Sequence, residues 1–403
     1  MSEPLTILVA ARDEEGRIGA TVAELRRRFP AARVLVADDG SRDGTAAEAE
    51  AAGADVLRLP HRGKGQALTL AERAAGPGDL LLCDADLRGD LGPLAAAGGD
   101  VVVAAFARRQ GGGFGLAKGA ARALVRLASG FEAREPLSGQ RRVTAGARPV
   151  LFPLAAGFGC EAAMTAEAAR AGLRVEEVGL ELEHRATGRD LRGFLHRGRQ
   201  LRDILLAFGP QARNHRGLRL PLVGWVAGVA HPHVAPVAVL GVADDLWSGP
   251  ERGFRAHLAA GSTTGVLKLA GIPLYALLRT RSLSAALLVG LAANLLNQLD
   301  TRPGRALKAY LLAAVPLGAP KTVAVLLAPY DLREMAMLGD SGSNALGALL
   351  GFRSVEVLTE RQRWSAIAAL AGLTFLGERR SLGALIERTP VVRDLDGLGR
   401  QPV

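Results

Sequence analysis

Cysteine is nearly absent: Cys83 and Cys160 are the only two in 403 residues. They form no paired framework and no metal-ligand spacing. That excludes a disulfide-stapled scaffold or a zinc ribbon and reads as reduced, cytosolic thiols. Aromatic residues are only 4% of the chain, and no basic stretch is interleaved with rings. A stacking platform for single-stranded nucleic acid is thereby excluded, and no nucleic-acid partner is expected. The N-terminus, M-S-E-P-L-T-I-L-V, lacks a basic segment followed by a long apolar run, so no signal peptide is read there. Internal repeats are lacking too. What is abundant is apolar residues, 49% of the chain, and arginine, which dominates a net charge of +10. This balance suits phosphorylated substrates or anionic lipid, although an Ala-, Gly- and Arg-rich genome produces the same bias. The length accommodates two or three domains, each with its own core.

The chain changes character near residue 200. Before it, short apolar runs alternate with Ala-rich amphipathic stretches. Thr6–Ala10, Arg33–Ala37, Asp79–Cys83 and Asp100–Ala105 read as buried strands, and Thr21–Arg28, Thr45–Ala52 and Gly65–Ala75 as the helices between them. That alternation predicts an α/β sheet with ligands at the C-terminal ends of its strands. Residues 201–219 form a basic linker, which together with the preceding Arg-rich stretch reads as an amphipathic juxtamembrane segment. Residues 220–403 carry longer uncharged runs, notably Leu220–Ala243, Ser282–Leu299 and Ala309–Pro320 continued by Thr322–Tyr330. These predict an all-α, multi-pass membrane domain, with a break at His231–Pro232–His233.

Polar motifs punctuate both halves. A-D-D-G-S-R-D-G-T (Ala37–Thr45) ends a strand with Asp38 and Asp39, carboxylates able to accept from a base imide and ribose hydroxyls, while Gly40 and Gly44 permit the turn. H-R-G-K-G-Q-A-L (His61–Leu68) sets Lys64 between glycines, a cation beside backbone that a diphosphate can approach. C-D-A-D-L (Cys83–Leu87) follows another strand, and Asp84 and Asp86, two apart, project to one side. Together they can hold Mg²⁺ or Mn²⁺ against a diphosphate, Lewis-acid help for a departing nucleotide.

The order of these motifs resembles the GT-A fold of family-2 glycosyltransferases over Leu5–Gln200, a Rossmann-like nucleotide-diphospho-sugar transferase architecture. A-R-D-E-E (Ala11–Glu15) is similar to that family's first nucleotide loop, which implies substrate contacts from Ala11, Arg12 and Glu14. P-L-S-G-Q-R (Pro136–Arg141), G-F-G-C-E (Gly157–Glu161) and H-R-A-T-G-R (His184–Arg189) resemble the acceptor half of glucosyl-3-phosphoglycerate synthases. By that resemblance His184 is a further metal ligand, and Ser138, Gly139, Gly157, Gly159 and Arg185 line the substrate site. Glu161 faces the reacting hydroxyl as base or positioning group. Retention and inversion of the anomeric centre both stay open.

In the second half, Asp244 and Asp245 close one apolar run, Asp300 another, and Asp340 sits in a Gly-bounded turn, with Asn294 and Asn297 one helical turn apart. Carboxylates at such positions can converge on Mg²⁺ and a lipid phosphate. D-D, N-x-x-N-x-x-D and G-D-x-G-S in this order resemble the polyprenyl-phosphate sugar-1-phosphate transferases over about 214–400, with Thr301-Arg302-Pro303-Gly304 departing from the family's third motif. The resemblance implies catalytic roles for Asp244, Asp245, Asp300 and Asp340.

The combined expectation is a cell-membrane, multi-pass glycosyltransferase with a cytoplasmic N-terminal domain at residues 1–200. It would move a sugar from an NDP-sugar, uridine preferred, to polyprenyl phosphate or another lipid-linked acceptor, or to a phosphorylated small molecule, with membrane lipid as partner. Alternatives are a bifunctional enzyme whose second half transfers sugar-1-phosphate, a soluble synthase-like enzyme, and a non-catalytic lipid-phosphate-binding protein.

Overall fold

The computed structural model describes residues 4–106, 116–183, 191–247 and 264–401, and the chain divides into two compact units. Unit 1 comprises residues 1–209 and 217–219; unit 2 comprises 210–216 and 220–403.

Unit 1 is built on a seven-stranded mixed sheet. Its strands are β1 (Leu5–Ala11), β2 (Arg33–Asp38), β3 (Asp55–Arg58), β4 (Asp79–Asp84), β6 (Val101–Phe106), β7 (Arg141–Val143) and β8 (Val175–Leu180), in the order β3-β2-β1-β4-β7-β6-β8. β5 (Arg88–Gly89) and β9 (Leu182–Glu183) form a small separate ribbon. β1, β2, β3 and β4 are mutually parallel, whereas β7 runs antiparallel to both its neighbours. Successive side chains of β1 enter opposite cores, Ile7 and Val9 on one face and Leu8 on the other, as the period of two requires. Helices α1 (Ile18–Arg28), α2 (Thr45–Ala51) and α3 (Lys64–Ala74) connect the parallel strands, so the loops after β1, β2 and β4 share one sheet edge. They are joined by α4 (Gly92–Ala96), α5 (Leu116–Ser129), α6 (Arg148–Leu151), α7 (Cys160–Arg170) and α8 (Leu191–Ala207).

Unit 2 is helical: α9 (Val226–Ala230), α10 (Ala235–Trp247), α11 (Thr264–Thr280), α12 (Leu283–Leu299), α13 (Arg305–Leu317), α14 (Thr322–Leu332), α15 (Gly339–Val357), α16 (Glu360–Arg379), α17 (Leu382–Arg388) and α18 (Pro390–Gly397). α15 is its axis, buried along most of its length. Glycines let its neighbours close in. A Cβ on Gly347 would lie 2.5 Å from the Ala293 Cα, and one on Gly241 would lie 2.4 Å from the Ser341 Cα. Ser282 caps α12, accepting from the Ala285 N–H.

The expected membrane spans are not there. No helix among the described residues is long and apolar enough to cross a membrane, which overturns the multi-pass, cell-membrane placement. The longest uncharged run, Leu220–Ala243, is broken at His231–Val234 into α9 and α10, as Pro232 would dictate. α11 and α12 have seventeen residues each, short of the roughly 20 a span requires. The high hydropathy of this half has two sources: a shared core, and outward residues such as Leu274, Leu278, Leu312, Val315 and Leu326.

Candidate functional site

In unit 1 the expected nucleotide residues gather on the sheet edge. The Ala11 carbonyl accepts from the Asp39 N–H at 2.9 Å, which joins the loops after β1 and β2. Asp38 is folded inward onto its own turn, accepting from the Ser41 N–H at 3.1 Å and from the Ser41 hydroxyl. The Glu14 N–H donates to Thr45 Oγ1 at 2.8 Å. Asp39 is 5% exposed and accepts from three donors: Arg62 N–H and His61 Nδ1 at 2.7 Å each, and Gly63 N–H at 2.9 Å. Its carboxylate therefore shapes the turn that presents Lys64.

Lys64 is the hub. Its ammonium lies 2.5 Å from Asp84 Oδ1, at the end of β4, and 2.6 Å from Glu161 Oε1, in the first turn of α7. Burial alone would depress this ammonium, but Asp84 and Glu161 outweigh it and hold Lys64 well above its ordinary value. Gln140 donates to the other Asp84 oxygen at 3.0 Å, and Cys160 Sγ stands 3.1 Å from Glu161 Oε2. Burial and the adjacent carboxylates push the Cys83 and Cys160 thiols well up, so both stay protonated and inert.

Four glycines let the surrounding segments close in. A Cβ on Gly65 would lie 1.9 Å from the Ala155 carbonyl, and one on Gly139 would lie 2.4 Å from Asp84 Oδ2. Gly157, at φ +65°, leaves its space to Asp203, whose carboxylate accepts from the Phe158 N–H at 3.2 Å. Gly159 likewise lies tight on α8, where a Cβ would sit 2.4 Å from that of Ala207. Ser138 is buried, and its carbonyl accepts from Arg141 Nε at 2.7 Å. Arg141 is fully buried with further bonds to Pro136 O and Thr165 Oγ1. It fastens the Pro136–Gln140 loop from beneath, a role that the arginine's place in a motif did not signal.

For a divalent cation, the expected oxygen donors are Asp84, which closes β4, and Asp86, two residues on. His184 and Arg185 lie outside the described residues. Among the described residues no group of three or more His, Cys, Asp or Glu side chains is assembled to hold a metal. The cation that rests on Asp84 is the Lys64 ammonium.

Comparison with known families decides what this edge belongs to. Residues 6–124 match the model of glycosyl transferase family 2. The match lies within unit 1 and spans less than a third of the chain. The chain thus carries an enzyme domain of a class that uses nucleotide-sugar donors. No curated protein matches the chain. Similar solved structures include a mycobacterial protein, 26% identical over 51% of this chain and 73% of its own, with a TM-score of 0.42. Glucosyl-3-phosphoglycerate synthase from Mycobacterium tuberculosis, in complex with Mn²⁺, uridine diphosphate and phosphoglyceric acid, is 24% identical over 51% and 77% at 0.41. Mannosyl-3-phosphoglycerate synthase from Rubrobacter xylanophilus is 24% identical over 51% and 73% at 0.41. The family 2 match covers the loops that carry Arg12, Asp39, Lys64 and Asp84, and stops before Glu161.

Unit 2 brings most of its expected residues together. Lys268 Nζ donates to Asp244 Oδ2 at 2.7 Å and to Asp340. With its amide turned to satisfy both ends, Asn297 donates to Asp340 Oδ1 at 2.9 Å and accepts from Lys268 at 3.0 Å. Asp245 caps α15 by accepting from the Asp340 and Ser341 N–H groups at 2.9 and 3.0 Å. Burial, together with the charges of Asp331, Asp340 and Asp245, drives the Asp300 carboxyl well up. Burial raises Asp340 to about 7 despite Lys268. Asn294 Nδ2 has no partner among the described residues and does not join the group. Lys268 was not anticipated. Its only signal is a lone charge inside the apolar run Val266–Leu278.

Proposed function

We propose that unit 1 transfers a sugar from a nucleoside diphosphate sugar, with uridine as the base, to the hydroxyl of a phosphorylated small molecule. The observation that carries this reading is the Lys64 bridge. One ammonium joins Asp84, inside the family 2 match, to Glu161, which lies beyond it in the same unit. Arg12 and the Asp38–Gly44 turn would receive the nucleotide, while Lys64, facing the diphosphate, would offset charge on the leaving group. Asp84 and Asp86, with His184 as the further expected ligand, would hold Mg²⁺ or Mn²⁺, which would neutralise the diphosphate when bound. Glu161 would orient the acceptor hydroxyl and take its proton once Lys64 turns to the diphosphate. Ser138 and Gly139 would line the acceptor side, with Arg185 pairing its phosphate. The test supplies metal, a panel of nucleotide sugars and phosphorylated hydroxy acids, and follows nucleoside diphosphate release. The reading requires release that depends on both metal and acceptor; none across the panel would refute it.

A second reading concerns unit 2. The convergence of Asp244, Asp340 and Asn297 on Lys268, with Asp245 and Asp300 beside Asp340, supports a site for a phosphate ester, at which sugar-1-phosphate would pass to a polyprenyl phosphate. Its signature is release of nucleoside monophosphate, abolished by Asp340→Asn.

A further inference from the structure

Lys268 is the lone charge in the apolar run of α11, and three other helices meet it there. Asp244 comes from α10, Asn297 from α12 and Asp340 from the first turn of α15. The Lys268 side chain is 14% exposed and that of Asp244 7%. An ammonium so enclosed persists only where acceptors replace its water. It has three N–H donors and no lone pair, and it finds three acceptors. These are Asp244 Oδ2 at 2.7 Å, the Asp340 carboxylate, and the Asn297 side-chain oxygen at 3.0 Å with its amide turned. The turned amide also donates to Asp340 Oδ1 at 2.9 Å and to Ser343 Oγ at 3.0 Å, so both of its ends are satisfied. Asp245 is committed elsewhere, since its two oxygens accept from the Asp340 and Ser341 N–H groups.

The motif order of this half predicts Mg²⁺ among these aspartates, and the donors present do not fit it. Mg²⁺ takes oxygen ligands at about 2.1 Å. The Asp244 and Asp340 oxygens instead converge on a lysine nitrogen. A divalent ion and an ammonium sharing that oxygen pair would repel each other strongly in so enclosed a place. Among the described residues no group of three or more His, Cys, Asp or Glu side chains is assembled to hold a metal.

We propose that Lys268 is the resident cation of unit 2: its tethered ammonium takes the place of a divalent ion between Asp244 and Asp340 and closes this centre to metal. The proposal concerns which cation these aspartates hold and stands apart from the phosphate-ester reading of unit 2. Any phosphate ester that unit 2 takes would meet an ammonium there. The same contact pins four helices, since Lys268 and its three acceptors come from one helix each. Without the ammonium, Asp244, Asp340 and Asn297 would surround a gap that a divalent ion can fill with oxygen ligands.

The test counts Mn²⁺ ions bound per chain, by titration with electron paramagnetic resonance detection of the free ion. It compares the unaltered protein with Lys268→Met, Lys268→Arg, Asp340→Asn and the double variant Lys268→Met/Asp340→Asn. Unit 1 is the same in all of them, so any ion that it holds is counted equally. Lys268→Met should bind one more Mn²⁺ per chain than the unaltered protein. Lys268→Arg keeps a cation and should bind no more than the unaltered protein. The double variant loses a ligand and should lose the extra ion. Thermal melts give a second readout. Without metal, Lys268→Met should melt below the unaltered protein, and Mn²⁺ should recover most of the difference, a recovery that the double variant lacks. Equal ion counts in Lys268→Met and the unaltered protein overturn the proposal. So does an ion lost from the unaltered protein on Asp340→Asn, because that ion would already share the centre with Lys268. Failure of Mn²⁺ to restore a Lys268→Met chain that has lost its fold overturns it too.

Discussion

Lys64 carries the largest consequence of any single residue. Its side chain is 18% exposed and compensates Glu161, itself 7% exposed, as well as Asp84. Lys64→Met leaves two carboxylates facing each other without a cation. Breaking such a partly buried pair costs about 3 kcal/mol, so the variant should melt several degrees lower and lose sugar transfer. Lys64→Met combined with Glu161→Gln removes the more buried of the two stranded charges and leaves only Asp84, which keeps the Gln140 amide. It should recover most of the melting temperature and none of the transfer. Recovery of transfer would mean that Lys64 serves folding alone. In unit 2, burial raises the Asp331 carboxyl to about 6, against opposing hydrogen bonds from the Gly304 and Leu338 backbone. The folded state therefore keeps a proton that the unfolded chain loses just above the ordinary value of 3.8. Stability from this group falls as pH rises from about 4 to about 6 and stays lost above. Asp331→Asn preserves an acceptor for Gly304 without the charge. Thermal melts should show it more stable than the unaltered protein near pH 8 and indistinguishable near pH 4; the opposite ordering would refute the burial account.

At the scale of elements, α3 decides whether the site forms. Gly65→Ala drives a methyl into the Ala155 carbonyl, which lies 1.9 Å from the would-be Cβ. Backbone cannot yield as a flexible side chain can, so α3 must shift outward and carry Lys64 away from Asp84. The expected loss is about 2–3 kcal/mol, read in denaturant melts together with weaker nucleotide binding; an unchanged midpoint would contradict the packing argument. This packing could not be read from H-R-G-K-G, which signals a phosphate-facing loop but not the carbonyl beneath it. The apolar strands were legible: β1, β2, β4 and β6 coincide with the predicted runs to within a residue or so at each end. β3, D-V-L-R, escaped notice because an edge strand bounded by charges has no apolar run, and β7 because two of its three residues are arginines. In unit 2 the apolar runs mark helices correctly. Burial against other helices and insertion in lipid draw on the same residues, and what separates them is that no helix among the described residues is both long and apolar enough to cross.

On the scale of the whole molecule, two units carry two separate polar centres, each with its own core. The converging aspartates of unit 2 were legible from motif order alone. Lys268 was not, since one lysine in an apolar helix has no partner until the fold supplies Asp244 and Asp340. If the centres work independently, Asp340→Asn leaves nucleoside diphosphate release by unit 1 unchanged while disturbing unit 2; loss of that release in a folded variant would show that they depend on one another. The central claim is that the Asp84–Lys64 edge of unit 1 handles a nucleotide sugar. Its most direct test is metal-dependent release of uridine diphosphate, detected apart from the monophosphate, by the unaltered protein and by Asp84→Asn. The account predicts diphosphate release by the first that is lost in the second. Undiminished release by Asp84→Asn, or no release by the unaltered protein with any donor, would contradict it.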